Sequence, residues 1–280
     1  MRGIGIEIEF TGVKRSEVIS ALEGLFRTTA RPIMSKTTED NYFYYKIEDE
    51  FGDTWTIKRD RSIVPQAYLY KLTNDVDASS RFDVVDVSSE REDYTEYMVE
   101  LVSPVLTSSN LFVLFSIVDV IKSIGGLVNS SCGMHIHVDG FNDAEDLASL
   151  YRKFVAVQDD ILDAFNVEEK RIERYCKKYD LSNVSRRSFY SVDDFLGYLF
   201  SLENYYRVTL NELRELRYYA LNFYAMKQHG TVEFRLFNAT LDKADIVSAI
   251  DWVLHFAYPE ADCLLYLPVL SSALVGDAVV

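Results

Sequence analysis

At 280 residues, with 48% apolar and 26% charged side chains, the chain has the composition of a soluble globular protein with enough material for a large core. Its 44 acidic against 29 basic residues give a net charge of −15, which repels polyanions and argues against nucleic acid as a partner. The longest apolar run, Leu111 to Val118, stops at Asp119 and is too short to cross a bilayer, which argues against a membrane protein. Cys132, Cys176 and Cys263 are scattered, with no Cys-x-x-Cys, so neither a disulfide framework nor a zinc ribbon is expected. No signal-like apolar segment opens the chain, and a cytoplasmic location follows as the expectation.

In chain order, Gly3 to Phe10 alternates and predicts a strand, and Ser16 opens a helix through Ile19, Leu22, Leu25 and Phe26. Tyr42 to Ile47, Thr54 to Lys58 and Ala67 to Leu72 predict strands, with a turn at Phe51-Gly52-Asp53. An acidic loop insertion over 74–96 precedes a strand around Glu100 that Pro104 halts. Leu111 to Ile124 predicts a buried helix closed by Gly125-Gly126, followed by a strand at His135. Asn142 or Asp143 caps a helix through Leu147, Leu150, Tyr151, Phe154, Ile161 and Phe165. Residues 168–190 read as polar, part helix and part loop, and Ser191 with Asp194 reads as a capping box. Tyr218 to Met226 and Thr231 to Phe237 predict a hairpin across Gly230, and Asp242 caps a last helix through Ile246, Ile250, Val253 and Leu254. The tail over 259–280 is apolar and is expected to dock on the body. Without repeats or a Pro/Gly-rich linker, 1–280 reads as a single α+β domain with a mainly antiparallel sheet.

Three of these strands carry ionisable side chains two residues apart: Glu7 and Glu9, His135 and His137, Glu233 and Arg235. A strand sends residues i and i+2 to one face, so each pair shares a face opposite an apolar one. A fourth strand adds Glu100. Such groups are costly on a sheet face unless a cation or an anionic ligand uses them. Glu7 and Glu9 suit a hard cation such as Mg²⁺, or else lie solvated on an edge strand. His135 and His137 are either metal ligands or core histidines; the region after them lacks the glutamate of a cupin site, and no second His-x-Thr/Ser supports a two-histidine phosphoesterase. Glu233 and Arg235 either pair with neighbours or serve a cation and a phosphate, since Arg stays charged and presents a planar fork. Neither Gly-x-x-x-x-Gly-Lys-Ser/Thr nor Gly-x-Gly-x-x-Gly is present, so any nucleotide must be held by sheet residues and metals.

Gly5-Ile6-Glu7-Ile8-Glu9-Phe10, Trp55 with Asp60-Arg61-Ser62, Glu100-Leu101-Val102-Ser103-Pro104, Cys132-Gly133-Met134-His135-Ile136-His137-Val138-Asp139, Arg174-Tyr175-Cys176, Leu221-Asn222 and Thr231-Val232-Glu233-Phe234-Arg235 occur in that order. In this set the chain resembles the amidoligase family, within the glutamine-synthetase-like carboxylate–amine ligases. The resemblance implies a curved, mainly antiparallel sheet with helices packed on its outer face. It implies use of ATP with Mg²⁺, or Mn²⁺, to activate a small-molecule or peptide carboxylate as an acyl phosphate that an amine then attacks. By the family pattern Glu7, Glu9, Glu100, His135 and Glu233 are metal ligands and Arg235 contacts the transferring phosphoryl group. His137 lies beside the nucleotide phosphates or behind the ligands, and Asp60 is a further metal ligand or the group that receives the amine. Asn222 contacts ligand or only satisfies backbone. Arg61 stands where the pattern commonly has Gly, and Glu100 follows Tyr97-Met98-Val99 in place of a Gly turn. The alternatives are a metal-dependent amide or phosphate hydrolase, and a non-catalytic binding protein on the same fold. Arg171, Arg174, Lys177, Lys178, Arg186 and Arg187 either bind an acidic substrate or line a solvated helix face.

Overall fold

The computed structural model describes residues 3–36, 41–66, 92–180, 187–201 and 212–259. The predicted strand at 67–72, most of the acidic insertion, Cys263, Arg186 and the apolar tail beyond 259 lie outside them. The fold is mixed α+β, with eight strands among the described residues in antiparallel pairing. The chain divides into two compact units. The larger holds the described parts of 6–133 and 239–248; the smaller holds 3–5 and the described parts of 134–238 and 249–259.

In the larger unit the strands run in the order β2 (Arg31–Lys36), β3 (Asn41–Glu48), β4 (Thr54–Lys58), β5 (Val99–Val102), β1 (Ile4–Phe10). Alternation builds its core: Ile57 pairs with Leu101 and Leu101 with Ile8, a row of buried apolar side chains. Helix α1 (Arg15–Phe26) lies on this core through Val18, Ile19 and Leu22 and packs on α3 (Leu111–Ser123). Buried Trp55 has its indole N–H satisfied by Asp49 Oδ2 at 2.9 Å. Strand β2 is not among the predicted strands; its second residue is Pro32, and it pairs with β3 alone among the described strands. A short helix α2 (Glu92–Thr95) stands where the acidic insertion ends.

In the smaller unit the order is β6 (Gly133–Val138), β8 (Val232–Asn238), β7 (Leu221–Asn222), with the first residue of β6 counted in the larger unit. Helix α4 (Ala144–Ala164) begins at Asp143, whose Oδ1 accepts from the N–H groups of Glu145 and Asp146 at 2.9 Å each. Helix α5 (Glu169–Arg174) packs on β8, and α6 (Val192–Ser201) packs on α4. The core is aromatic: Tyr151, Phe154, Phe195, Phe223, Phe234 and Phe256 meet mostly edge to face. The predicted strand Tyr218 to Met226 is corrected. A 3-10 helix (Glu212–Tyr218), the two residues of β7 and helix α7 (Ala225–His229) occupy that stretch. Asn222 Oδ1 accepts the N–H of Tyr224 at 2.9 Å, which turns the chain out of the strand. The last helix, α8 (Lys243–Ala257), starts at Asp242 as predicted. Among the described residues no helix is long and apolar enough to cross a membrane.

Candidate functional site

On the face of the larger unit opposite the Ile57–Leu101–Ile8 row, the same registers align Lys58 with Glu100 and Glu100 with Glu9. Two carboxylates directly across an antiparallel pair repel each other. Here both are buried, Glu9 at 3% and Glu100 at 2% exposure, so water does little to screen them. Glu9 Oε2 accepts the backbone N–H of Gly133 at 2.6 Å. Asp60, just past the end of β4, completes a group: one oxygen each from Glu9, Asp60 and Glu100 lies within 4.8 Å of the others. Asp60 is held by Ser62, whose N–H and hydroxyl both donate to Oδ1, at 2.7 and 2.6 Å. That contact gives the Asp-x-Ser spacing a physical purpose.

Lys58 is the residue that sequence reasoning missed. Its Nζ stands 3.1 Å from Glu100 Oε2 and 3.7 Å from Glu7 Oε1. Burial alone would lower the pKa of its ammonium, but the charges of Glu100, Glu7 and Asp60 outweigh burial and hold the group above the ordinary lysine range. Burial pushes the Glu100 carboxyl well above the ordinary carboxylate range; Lys58 pulls it down, and Glu7, Asp60 and Glu9 push it further up.

The smaller unit centres on Glu233. Its Oε1 accepts from Arg235 Nη1 at 2.6 Å and lies 3.3 Å from His135 Nδ1; its Oε2 accepts from Asn222 Nδ2 at 2.5 Å. Asn222 stands directly across from Glu233 in the register of β7 and β8. His135, Asn222 and Glu233 are all buried, whereas Arg235 and His137 are partly open. His137 Nδ1 meets Thr231 Oγ1 at 3.0 Å, and its ring meets that of His229 edge to face. A Cβ added to Gly5 would come within 3.3 Å of His137 Cβ, so glycine leaves that imidazole its place.

The chemistry of the two groups is therefore distinct. The larger unit offers oxygen donors around a buried negative centre, and the smaller offers imidazole, carboxylate and guanidinium on adjoining strands. The model of the family described as "putative amidoligase enzyme" matches residues 1–257. The chain belongs to the amidoligase family. No curated protein matches the chain.

Two further features of this family member separate structural from chemical residues. Cys132 and Cys176 are buried thiols in no disulfide among the described residues. Burial pushes the Cys176 thiol up to about 11, against the pull of Arg171 and Arg235, so it is protonated and a poor nucleophile at neutral pH. Within the basic stretch, Arg171 is no part of a solvated helix face. It is 1% exposed, with Nη2 donating to the carbonyl of Arg235 at 3.4 Å. Lys178 and Arg187 are paired at the surface with Asp159 and Asp194.

Proposed function

We propose that this amidoligase is an ATP- and Mg²⁺-dependent carboxylate–amine ligase of glutamine-synthetase-like fold, acting in the cytoplasm on a small-molecule or peptide carboxylate and an amine. The observation that carries the reading is the buried, directly opposed pair Glu9 and Glu100 with Asp60 beside it. Even with Lys58 beside Glu100, the four carboxylates of Glu7, Glu9, Asp60 and Glu100 outnumber the one ammonium, and a cation that accepts oxygen donors offsets the excess. The residues thus fit Mg²⁺, or Mn²⁺. Glu9, Asp60 and Glu100, with Glu7 beside Glu100, supply the oxygen donors that would hold a cation in the larger unit, and His135 and Glu233 would serve one in the smaller. A divalent ion held there would supply charge neutralisation at phosphate oxygens, which is what transfer of the γ-phosphoryl group of ATP to the substrate carboxylate needs, with ADP as the leaving group and an acyl phosphate as the product.

The chain's own residues have separate tasks. Arg235 presents its guanidinium to the phosphoryl group, oriented by its bond to Glu233. Asn222 fixes the carboxylate of Glu233 from the other side. His137, held by Thr231, lies ready to donate to nucleotide phosphate. Asp60, fixed by Ser62, holds an oxygen within 4.8 Å of those of Glu9 and Glu100 and so serves as a further cation ligand.

Calorimetric titration with ATP tests the reading. Binding is expected with Mg²⁺, is lost with EDTA, and is lost in Glu9→Ala while circular dichroism shows a folded variant. Turnover of an amide or phosphate ester with metal but without ATP would replace the ligase by a hydrolase. Absence of both metal and nucleotide binding would leave a non-catalytic protein on this fold.

A further inference from the structure

Lys58 occupies a place where the chemistry of the larger unit calls for a cation. Its strand position explains why. Trp55 and Ile57 point into the core, and the alternation of β4 sends Thr54, Thr56 and Lys58 to the other face. The register then sets Lys58 directly beside Glu100. Its ammonium reaches Glu100 at 3.1 Å and Glu7 at 3.7 Å, while Glu9 and Asp60 gather on the same Glu100 carboxylate within 4.8 Å. The four carboxylates are therefore served by two cation positions that share Glu100, one of them already filled by a side chain. The side chain of Lys58 is 32% exposed against 2% for Glu100, so the ammonium caps the carboxylate on its open side.

We propose, on the basis of the metal reading above, that Lys58 is a tethered cation that sets how many divalent ions the larger unit holds. Its ammonium fills the position between Glu7 and Glu100. A single divalent ion then binds on Glu9, Asp60 and Glu100. A second, placed within about 4 Å of the fixed ammonium, is excluded by charge repulsion. The tether also gives Glu7 and Glu100 a partner when no metal is bound, so this half of the protein does not depend on metal to keep Glu100 neutralised. Lysine suits the role as a compact point charge on a flexible stem.

The test counts Mn²⁺ bound per chain at saturation, from the loss of the free-ion paramagnetic resonance signal. It is run on the whole protein for the wild type and for Lys58→Met, Lys58→Gln and Lys58→Arg, with a thermal melt on each variant. The neutral variants are expected to bind one more Mn²⁺ than wild type, and Lys58→Arg to match wild type. Adding Glu7→Gln to Lys58→Met is expected to remove the extra ion. Lys58→Gln keeps the test open if Lys58→Met does not fold. Equal, non-zero stoichiometry in all four proteins would overturn the inference and leave the metal reading standing. An extra ion in Lys58→Arg would also overturn it, since charge would then not be the excluding factor. No Mn²⁺ bound by any of the proteins would overturn the inference together with the metal reading beneath it.

Discussion

Asn222 illustrates how the role of a polar side chain in an apolar strand is decided by what stands across the sheet. It faces Glu233 in register, donates to Oε2 at 2.5 Å, and accepts from the Tyr224 N–H at 2.9 Å. Both ends of the amide are used, and one of them orients a buried carboxylate. Removing a donor from a buried charged acceptor costs about 1–3 kcal/mol. Asn222→Ala is therefore expected to lose about that much stability in urea denaturation. In a double-mutant cycle with Glu233→Gln, a coupling of about 1–3 kcal/mol is expected. Additive losses would mean that Asn222 does not serve Glu233. Among single residues, the ionisable pairs were legible because alternation is a local property of the chain. Lys58 was not. Read alone, it is a solvated lysine at the end of a strand, and only the register with β5 sets it against Glu100.

At the scale of elements, the legible ones carried strong local signals. Helix α3 ends where Gly125-Gly126 predicted, with Gly125 at φ +95° and the Gly126 N–H bonded to the carbonyl of Ile121 at 2.8 Å. The Ser191–Asp194 box is half formed: Ser191 Oγ accepts the Asp194 N–H, but the Asp194 carboxylate reaches Tyr190 and Arg187 and not the Ser191 backbone. The stretch 218–226 misled because its aromatic, β-favouring composition is used for core packing, while Asn222 and Gly230 bend the backbone. Edge strand β2 was missed because Pro32 weakens its strand signal, although proline is tolerated at an edge. Two glycine substitutions separate a glycine required just past a helix end from one inside a helix. A Cβ at Gly126 would lie 2.4 Å from Ile121 Cγ2 and 2.8 Å from the Ile121 carbonyl, which cannot retreat without unwinding the helix end. Gly126→Ala is expected to lose about 1–3 kcal/mol. Gly24, inside α1, meets nothing within 4 Å, so Gly24→Ala is expected to gain about 0.5–1 kcal/mol. Urea denaturation of the two variants checks both signs, and equal effects would refute the steric account.

For the whole molecule, a net charge of −15 means that any salt raises stability a little by screening self-repulsion, so metal binding must be separated from screening. The separation is available because the buried carboxylates are not evenly spread. Glu9 and Glu100 are nearly inaccessible, face each other, and share one oxygen cluster with Asp60. An ion bound there stabilises only the folded chain, by about 2.7 kcal/mol at a hundred times its dissociation constant. Mg²⁺ or Mn²⁺ is therefore expected to raise the melting temperature by several degrees beyond NaCl of matched ionic strength, reversed by EDTA. In Glu9→Gln the specific part is expected to shrink while the salt part stays, because the surface charge is nearly unchanged. The apo variant is also expected to melt no lower than apo wild type, since one of two opposed charges has been removed from a buried pair. A divalent effect equal to that of matched NaCl in wild type would mean that the cluster is a burden the fold carries without a cation, with Lys58 as its counter-charge.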